Sequence, residues 1–231
     1  MKENVYLLIH GFAGNTDEIE YLNQFLLGKG LDTRTVLLAG HGGTRKALRA
    51  SSYVDWIKSV ETVVDELTRT YNYINLLGFS MGGLISVNLA SRPEIRRIVF
   101  INTPIYIWNV KVLLSDIIGE VRVGKHDKIN HYTESAFKVS FKTGVDFLKI
   151  LSQSKGKFND MHKQSLIIQC RNDSSAHFKS AGYIKEKIGD PAELLYYDGG
   201  CHQVFTMSVE LRDLVCGDIY RFLMSDDIRQ P

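Results

Sequence analysis

Cysteine is scarce in this chain. Its 231 residues include three, and Cys170, Cys201 and Cys216 have neither metal-type spacing nor the even count of a disulfide framework. A stapled secreted scaffold is therefore excluded, and a reduced, cytoplasmic setting is the expectation. Cys170 at the end of a strand-like run and Cys216 within a helical one read as small buried apolar side chains. Charge of one sign is lacking too. Lys and Arg number 28 against 26 Asp and Glu, a net charge of +2, which makes no case for nucleic acid or an anionic membrane as partner. No apolar run reaches the ~20 residues of a membrane-spanning helix. The run Val5 to Ile9 is too short for a secretory signal and has no small-residue cleavage site behind it. Repeats and low-complexity stretches are absent. What remains is an ordinary globular composition, 44% hydrophobic and 23% charged, sufficient for one large domain with room for an insertion.

The stretch around which the chain is organised is Gly78-Phe79-Ser80-Met81-Gly82-Gly83. Before it, Tyr73-Ile74-Asn75-Leu76-Leu77 is apolar and of strand length. After it, Leu84 to Ala90 has no proline and reads as a helix. Gly-x-Ser-x-Gly between strand and helix is the pattern of a nucleophile elbow, where a tight turn leaves the serine hydroxyl standing at the sheet's carboxyl edge. Flanking glycines remove the side chains that such a turn would force into collision. At average composition the pattern arises by chance about once in 3,000 positions, so an incidental serine in a glycine-rich turn is the weaker reading.

Strands and helices alternate through the rest of the chain. Val5 to Ile9 is a continuous apolar run, as a strand buried on both faces requires, and it leads into His10-Gly11-Phe12-Ala13-Gly14-Asn15. Thr16 reads as an N-cap, with Asp17 and Glu18 in a first turn that favours negative charge. Ile19, Leu22, Phe25 and Leu26 follow at helical spacing until Gly28 and Gly30. Thr33 to Leu38 is a second strand, closed by Ala39-Gly40-His41-Gly42-Gly43. Ser52 with Asp55 forms a capping box for a helix to about residue 69, whose stripe of Trp56, Val60, Val63, Val64 and Leu67 is core. Further strands are expected at 97–101, 165–170 and 193–197, with helices at 176–188 and 208–224. This alternation predicts a mostly parallel α/β sheet of about six strands with helices on both faces. Functional loops then lie at the strands' carboxyl ends.

Residues 105–163 break the pattern. They hold no buried parallel strand, only amphipathic fragments such as Val110-Leu113-Leu114-Ile117-Ile118 and Val145-Leu148-Lys149-Leu151, with ten basic and six acidic residues. The expectation is a small helical cap inserted into a core of 1–104 and 164–231, its positive excess a solvated face.

A serine hydroxyl needs a base, and the base needs orienting. In this architecture the helpers follow at the ends of later strands, acid before histidine. Asp173 follows the strand ending at Cys170, and His202 follows the strand ending at Tyr197. His10 and His41 precede the serine, His126, His131 and His162 lie in or beside the insertion, and His177 opens a helix. Asp198 is the rival acid, four residues before His202, in a position that suits a turn into Gly199-Gly200. The oxyanion of an acyl transfer needs two aimed donors. The backbone N–H of Met81, at a helix N-terminus, is one candidate, and that of Phe12 in the first loop is the other.

His10-Gly11-Phe12, Gly40-His41-Gly42, the Gly78–Gly83 turn, Asp173 and His202 together resemble the α/β-hydrolase fold. More narrowly they resemble small bacterial carboxylesterases related to monoacylglycerol lipases, and Asn102-Thr103-Pro104-Ile105-Tyr106 is similar to that subfamily's lead into its cap. The resemblance spans nearly the whole chain. It implies a Ser80–His202–Asp173 triad, an oxyanion hole from Phe12 and Met81, and a cap lining an acyl pocket. Three departures stand out. The fold's usual N-terminal antiparallel strands are not seen ahead of Val5, Ser174-Ser175-Ala176 follows Asp173 where a branched apolar residue is usual, and Cys201 stands where glycine is usual. The implied activity is that of a serine carboxylesterase on short- to medium-chain esters, monoacylglycerols among the candidates, with a small-molecule ester as partner and no cofactor or metal. A thioesterase or acyltransferase would use the same triad. The reading from another class is a non-catalytic small-molecule binding module on this fold. Aspartate would stand at position 80 in a dehalogenase.

Overall fold

The computed structural model describes residues 1–107 and 139–225. Six strands form one sheet: β1 (Lys2–Ile9), β2 (Thr33–Val36), β3 (Tyr71–Phe79), β4 (Ile95–Ile101), β5 (Gln164–Cys170) and β6 (Ala192–Tyr197). Their order is β2-β1-β3-β4-β5-β6, and every pair is parallel. Among the described residues there are eight helices: α1 (Asp17–Gly28), α2 (Arg45–Ala50), α3 (Tyr53–Leu67), α4 (Met81–Asn88), α5 (Phe141–Lys157), α6 (Lys179–Ile188), α7 (Val204–Met207) and α8 (Val209–Met224).

Side chains of a strand alternate between faces, and in β1 both faces are apolar. Val5, Leu7 and Ile9 face one core, with α3, α4, α5 and α6 packed over it. Tyr6 and Leu8 face the other, covered by α1, α7 and α8. This is why β1 reads as an uninterrupted apolar run. The chain leaves β1 outward to β2, then returns to the opposite side as β3 and continues to β6. The order therefore reverses between β1 and β3, the place where open α/β sheets leave a crevice at the strands' carboxyl ends. The loop after Ile9 and the turn after Phe79 meet there.

Local chemistry explains where elements stop. The Ser52–Asp55 capping box is present at the start of α3, both side chains bonding back to backbone. Thr16 makes no capping hydrogen bond with its side chain; Asn15 Oδ1 takes the Asp17 N–H at 2.8 Å instead. β2 ends at Val36 rather than Leu38 because the Leu38 N–H turns to the ring of His10, 3.2 Å away. Helix α2 escapes the sequence reading: Thr44 caps it by accepting from Ala47 N at 3.2 Å.

The expected fragment at 110–118 lies outside the described residues. The other, at 145–151, falls in α5, but its deepest face is not Val145-Leu148-Leu151. Thr143, Gly144, Asp146, Phe147, Ile150 and Ser154 are the buried positions. The Ser154 hydroxyl donates to the Leu84 carbonyl and receives the Asn88 amide, at 3.1 and 2.8 Å. Those bonds draw the polar side of the helix onto α4. Phe158, just beyond α5, packs edge-on to Phe100 of β4 with centroids 5.4 Å apart.

Candidate active site

Ser80 lies between β3 and α4 with φ 51° and ψ −117°, in the left-handed half of backbone space that an L-residue with a side chain rarely occupies. The turn is held by the Ser80 N–H donating to the Ile101 carbonyl at 2.8 Å. Each neighbouring glycine is required by a close approach. A Cβ on Gly78 would stand 2.4 Å from backbone atoms of Gly82 and Gly83, and one on Gly82 would stand 2.3 Å from the Ile9 carbonyl oxygen. A Cβ on Gly83 would meet the Thr103 hydroxyl at 2.0 Å. The glycines thus clear not only the turn but the neighbouring strand ends.

The structure brings Ser80, His202 and Asp173 together. His202 Nε2 is 3.0 Å from Ser80 Oγ, and His202 Nδ1 is 2.7 Å from Asp173 Oδ2. With Asp173 as an acceptor, Nδ1 carries the proton, and the free lone pair of Nε2 faces the serine O–H. Asp173 is anchored on its other oxygen by the N–H groups of Ser175 and Ala176, at 2.7 and 2.8 Å. Those two amides are consumed by the carboxylate, and α6 begins at Lys179 rather than Ala176. Asp198 stands apart from this chain, exposed and paired with Arg171 at 3.1 Å. His177 is also elsewhere, its Nδ1 accepting from the Lys179 N–H.

Phe12 sits in the loop after β1, and both ends of the preceding residue are tied. The Gly11 carbonyl accepts from His10 Nδ1 at 2.8 Å, a proton position fixed because His10 Nε2 accepts from Leu38 N. Since the Gly11 carbonyl and the Phe12 N–H share one planar trans peptide, holding the first aims the second. The Phe12 ring meets Phe147 at 4.7 Å, Trp56 at 5.8 Å and His41 at 6.5 Å between centroids. Met81 is the first residue of α4, and the opening N–H groups of a helix have no acceptor within it.

Burial, together with the adjacent His41, lowers the pKa of His10 to about 3, and burial lowers that of His41 to about 4. Burial pushes the Cys170 and Cys216 thiols up to about 11 and about 12, so neither is a ready nucleophile. Among the described residues no three His, Cys, Asp or Glu side chains are grouped as a metal site requires.

Two further residues of the site are not among the candidates that the sequence offers. Asn102, at φ 47°, accepts the Cys170 N–H on Oδ1 at 2.8 Å and donates through Nδ2 to the His202 carbonyl at 2.8 Å. It joins the ends of β4 and β5 to the histidine loop. Glu18 is the second. Its carboxylate bonds to Gly11 N and to the Gln203 side chain, a far more specific role than negative charge in a first turn. The signal that could have found Asn102 is its position, a small polar residue immediately after a strand, where left-handed backbone favours asparagine.

Residues 4–200 match the family model for the α/β hydrolase fold. The chain belongs to the α/β-hydrolase fold family. It is 28% identical over 229 residues to a carboxylesterase of Bacillus subtilis strain 168, covering 96% of this chain and 92% of that one. A thermostable monoacylglycerol lipase of Bacillus sp. strain H-257 is 32% identical over 100 residues, 43% of this chain and 40% of that one. Among solved structures, one from the metagenome-derived lipolytic enzymes LipS and LipT superposes with a TM-score of 0.77 at 20% identity, over 97% of this chain and 94% of that one. This likeness is one of fold. Among the described residues of this α/β-hydrolase, no helix is long and apolar enough to cross a membrane.

Proposed function

We propose that this α/β-hydrolase is a serine carboxylesterase acting on short- to medium-chain carboxylic esters, monoacylglycerols among them. The observation that carries the reading is the unbroken hydrogen-bonded chain from Asp173 through His202 to Ser80, at 2.7 and 3.0 Å. In the proposed cycle His202 Nε2 takes the Ser80 proton as Oγ attacks the ester carbonyl. The oxyanion is held by the N–H groups of Phe12 and Met81. On collapse the C–O bond breaks and His202 returns the proton to the leaving alcohol. A water, deprotonated in turn by His202, then releases the acid from the acyl-enzyme. Asp173 keeps the imidazole oriented and stabilises its charged form.

The carboxylic ester as substrate class is favoured by the full-length likeness to a carboxylesterase and the partial likeness to a monoacylglycerol lipase. Segment 105–163 is assigned the role of a cap that selects the acyl chain. Phe147 supports this assignment, since it belongs to that segment and its ring packs, tilted, against Phe12 beside the proposed oxyanion donor.

Hydrolysis of p-nitrophenyl esters from acetate to palmitate, with Ser80→Ala in parallel, tests the reading. The wild type should prefer one chain length, and the variant should lose about a millionfold in kcat. Turnover that survives the substitution in a clean preparation removes Ser80 from the mechanism.

A further inference from the structure

The two loops that flank the reactive hydroxyl are joined by a single side chain from α1. Glu18 Oε2 accepts the Gly11 N–H at 2.8 Å, and Glu18 Oε1 accepts from Gln203 Nε2 at 2.7 Å. Gly11 precedes Phe12, the proposed oxyanion donor, and Gln203 follows His202, the proposed base. The space for this carboxylate is made by glycine. A Cβ on Gly14 would lie 2.3 Å from the carboxylate carbon, and one on Gly11 would lie 3.1 Å from Oε2. The phenyl ring of Phe79 fills the same junction. It would approach a Gly11 Cβ to 3.2 Å, and it packs against the His202 ring with centroids 5.1 Å apart.

We propose that Glu18 is a positioning residue of the esterase site: its carboxylate clamps the His10–Gly11 peptide to Gln203 and so holds the oxyanion donor of Phe12 in register with the imidazole of His202. This rests on the esterase reading given above. Two donors approach from two loops, and a carboxylate answers them with two acceptor oxygens at once. Gly11 is then fixed on both sides, by Glu18 through its N–H and by His10 through its carbonyl. Burial of the carboxyl end raises the Glu18 pKa, while the bonds from Gln203 and Gly11 oppose the rise. A carboxyl so placed is there for its hydrogen bonds.

A structural residue and a positioning residue make different demands on substitution. Glu18→Ala removes both bonds. Glu18→Gln keeps an oxygen for Gly11 N, and its amide can donate to Gln203 Oε1, a buried atom with no hydrogen-bond partner, once the Gln203 amide turns over. The glutamine variant should therefore restore what alanine loses.

The experiment measures kcat and KM for p-nitrophenyl butyrate in the wild type, Ser80→Ala, Glu18→Ala, Glu18→Gln and Gln203→Ala, with thermal melts of each. The affinity of butylboronic acid, whose adduct on a serine is tetrahedral, is measured alongside as a readout without turnover. Glu18→Ala should lower kcat about 10- to 100-fold and weaken the boronic acid by a similar factor, with KM changed less than about threefold, as a displaced oxyanion donor requires. Glu18→Gln should return both to within about threefold of the wild type. If Glu18→Ala does not fold, Gln203→Ala, which removes one of the two bonds, should still lower kcat about fivefold. An active, Ser80-dependent wild type overturns the Glu18 proposal alone if Glu18→Ala matches it in kcat and boronate affinity, if glutamine is as poor as alanine, or if a folded Gln203→Ala keeps full kcat where alanine is lost. A wild type with neither Ser80-dependent turnover nor Ser80-dependent boronate binding sinks the esterase reading and this proposal together.

Discussion

Three histidines stand at the carboxyl edge of the sheet, and all three are buried: His10 at 0%, His41 at 6% and His202 at 9% exposure. Burial therefore does not separate them. Their partners do. His202 has a carboxylate on one nitrogen and a hydroxyl on the other, so it can accept a proton and have the resulting charge met by Asp173. His10 is bonded only to backbone, at the Gly11 carbonyl and the Leu38 N–H. His41 touches the Ala39 carbonyl through Nδ1, and its Nε2 has no partner. With no carboxylate bonded to either ring, burial, helped at His10 by the neighbouring His41, drives the pKa values of this pair down to about 3 and about 4. An imidazole so placed is a neutral building part. A base is made by the carboxylate beside the ring, not by the depth of the ring.

The sharpest way to break the comparison is to remove each ring in turn. His202→Ala should lower kcat by about a millionfold, the loss expected if the proposed base works as a unit with Ser80. His41→Phe should cost less than about tenfold, because that ring serves packing among Phe12, Trp56 and His10. Steady-state kinetics of both variants on one ester decide the matter; comparable losses would mean that proton transfer is not confined to His202. The second way leaves the His202 ring and takes its charge partner. Asp173→Asn retains a side chain that can still accept from Ser175 N and Ala176 N, yet it should lower kcat about ten-thousandfold through the wrong tautomer and an unmet imidazolium. A loss below about tenfold would show that the carboxylate does no more than hold the loop.

How much of this could be read from the sequence follows from the range of each constraint. The elbow is legible because Gly78, Gly82 and Gly83 fall within one short stretch, although only the demand on Gly78 arises inside the turn and the other two clear Ile9 and Thr103. Asp173 and His202 were placed by counting strand ends, and the parallel order β4-β5-β6 delivers those ends to the same edge. Asn102 and Glu18 were not legible as site residues. Asn102 reaches positions 68 and 100 residues away, and Glu18 joins the nearby Gly11 to Gln203, 185 residues away; no local pattern announces such pairings. The amphipathic pattern at 145–151 does not say which stripe of α5 is buried, for a related reason: the pairing of Ser154 with Asn88 and Leu84 selects the stripe that carries Phe147 and Ile150.

The smallest effect sharpens the contrast by using stability instead of rate. His10 and His41 are neutral in the folded protein down to about pH 3 and about pH 4, whereas in the unfolded chain each binds a proton below about 6.5. Between these limits the unfolded state holds more protons, so stability rises with pH. The contribution of the pair is fully present above about pH 6.5 and is lost as the pH falls toward the folded values. Each ring adds up to about 1.4 kcal/mol per pH unit to that slope. Carboxylates contribute slopes of their own, and Glu18, whose pKa is raised, acts in the opposite sense. The comparison that isolates one ring is therefore wild type against His41→Phe. Urea unfolding at pH 6 and pH 5 should give the variant a slope shallower by about 1 kcal/mol per pH unit, whatever the substitution does to stability at pH 7. Equal slopes would mean that the His41 ring takes up its proton within the folded protein, and the line drawn between the two kinds of histidine would then have to pass between His10 and His41.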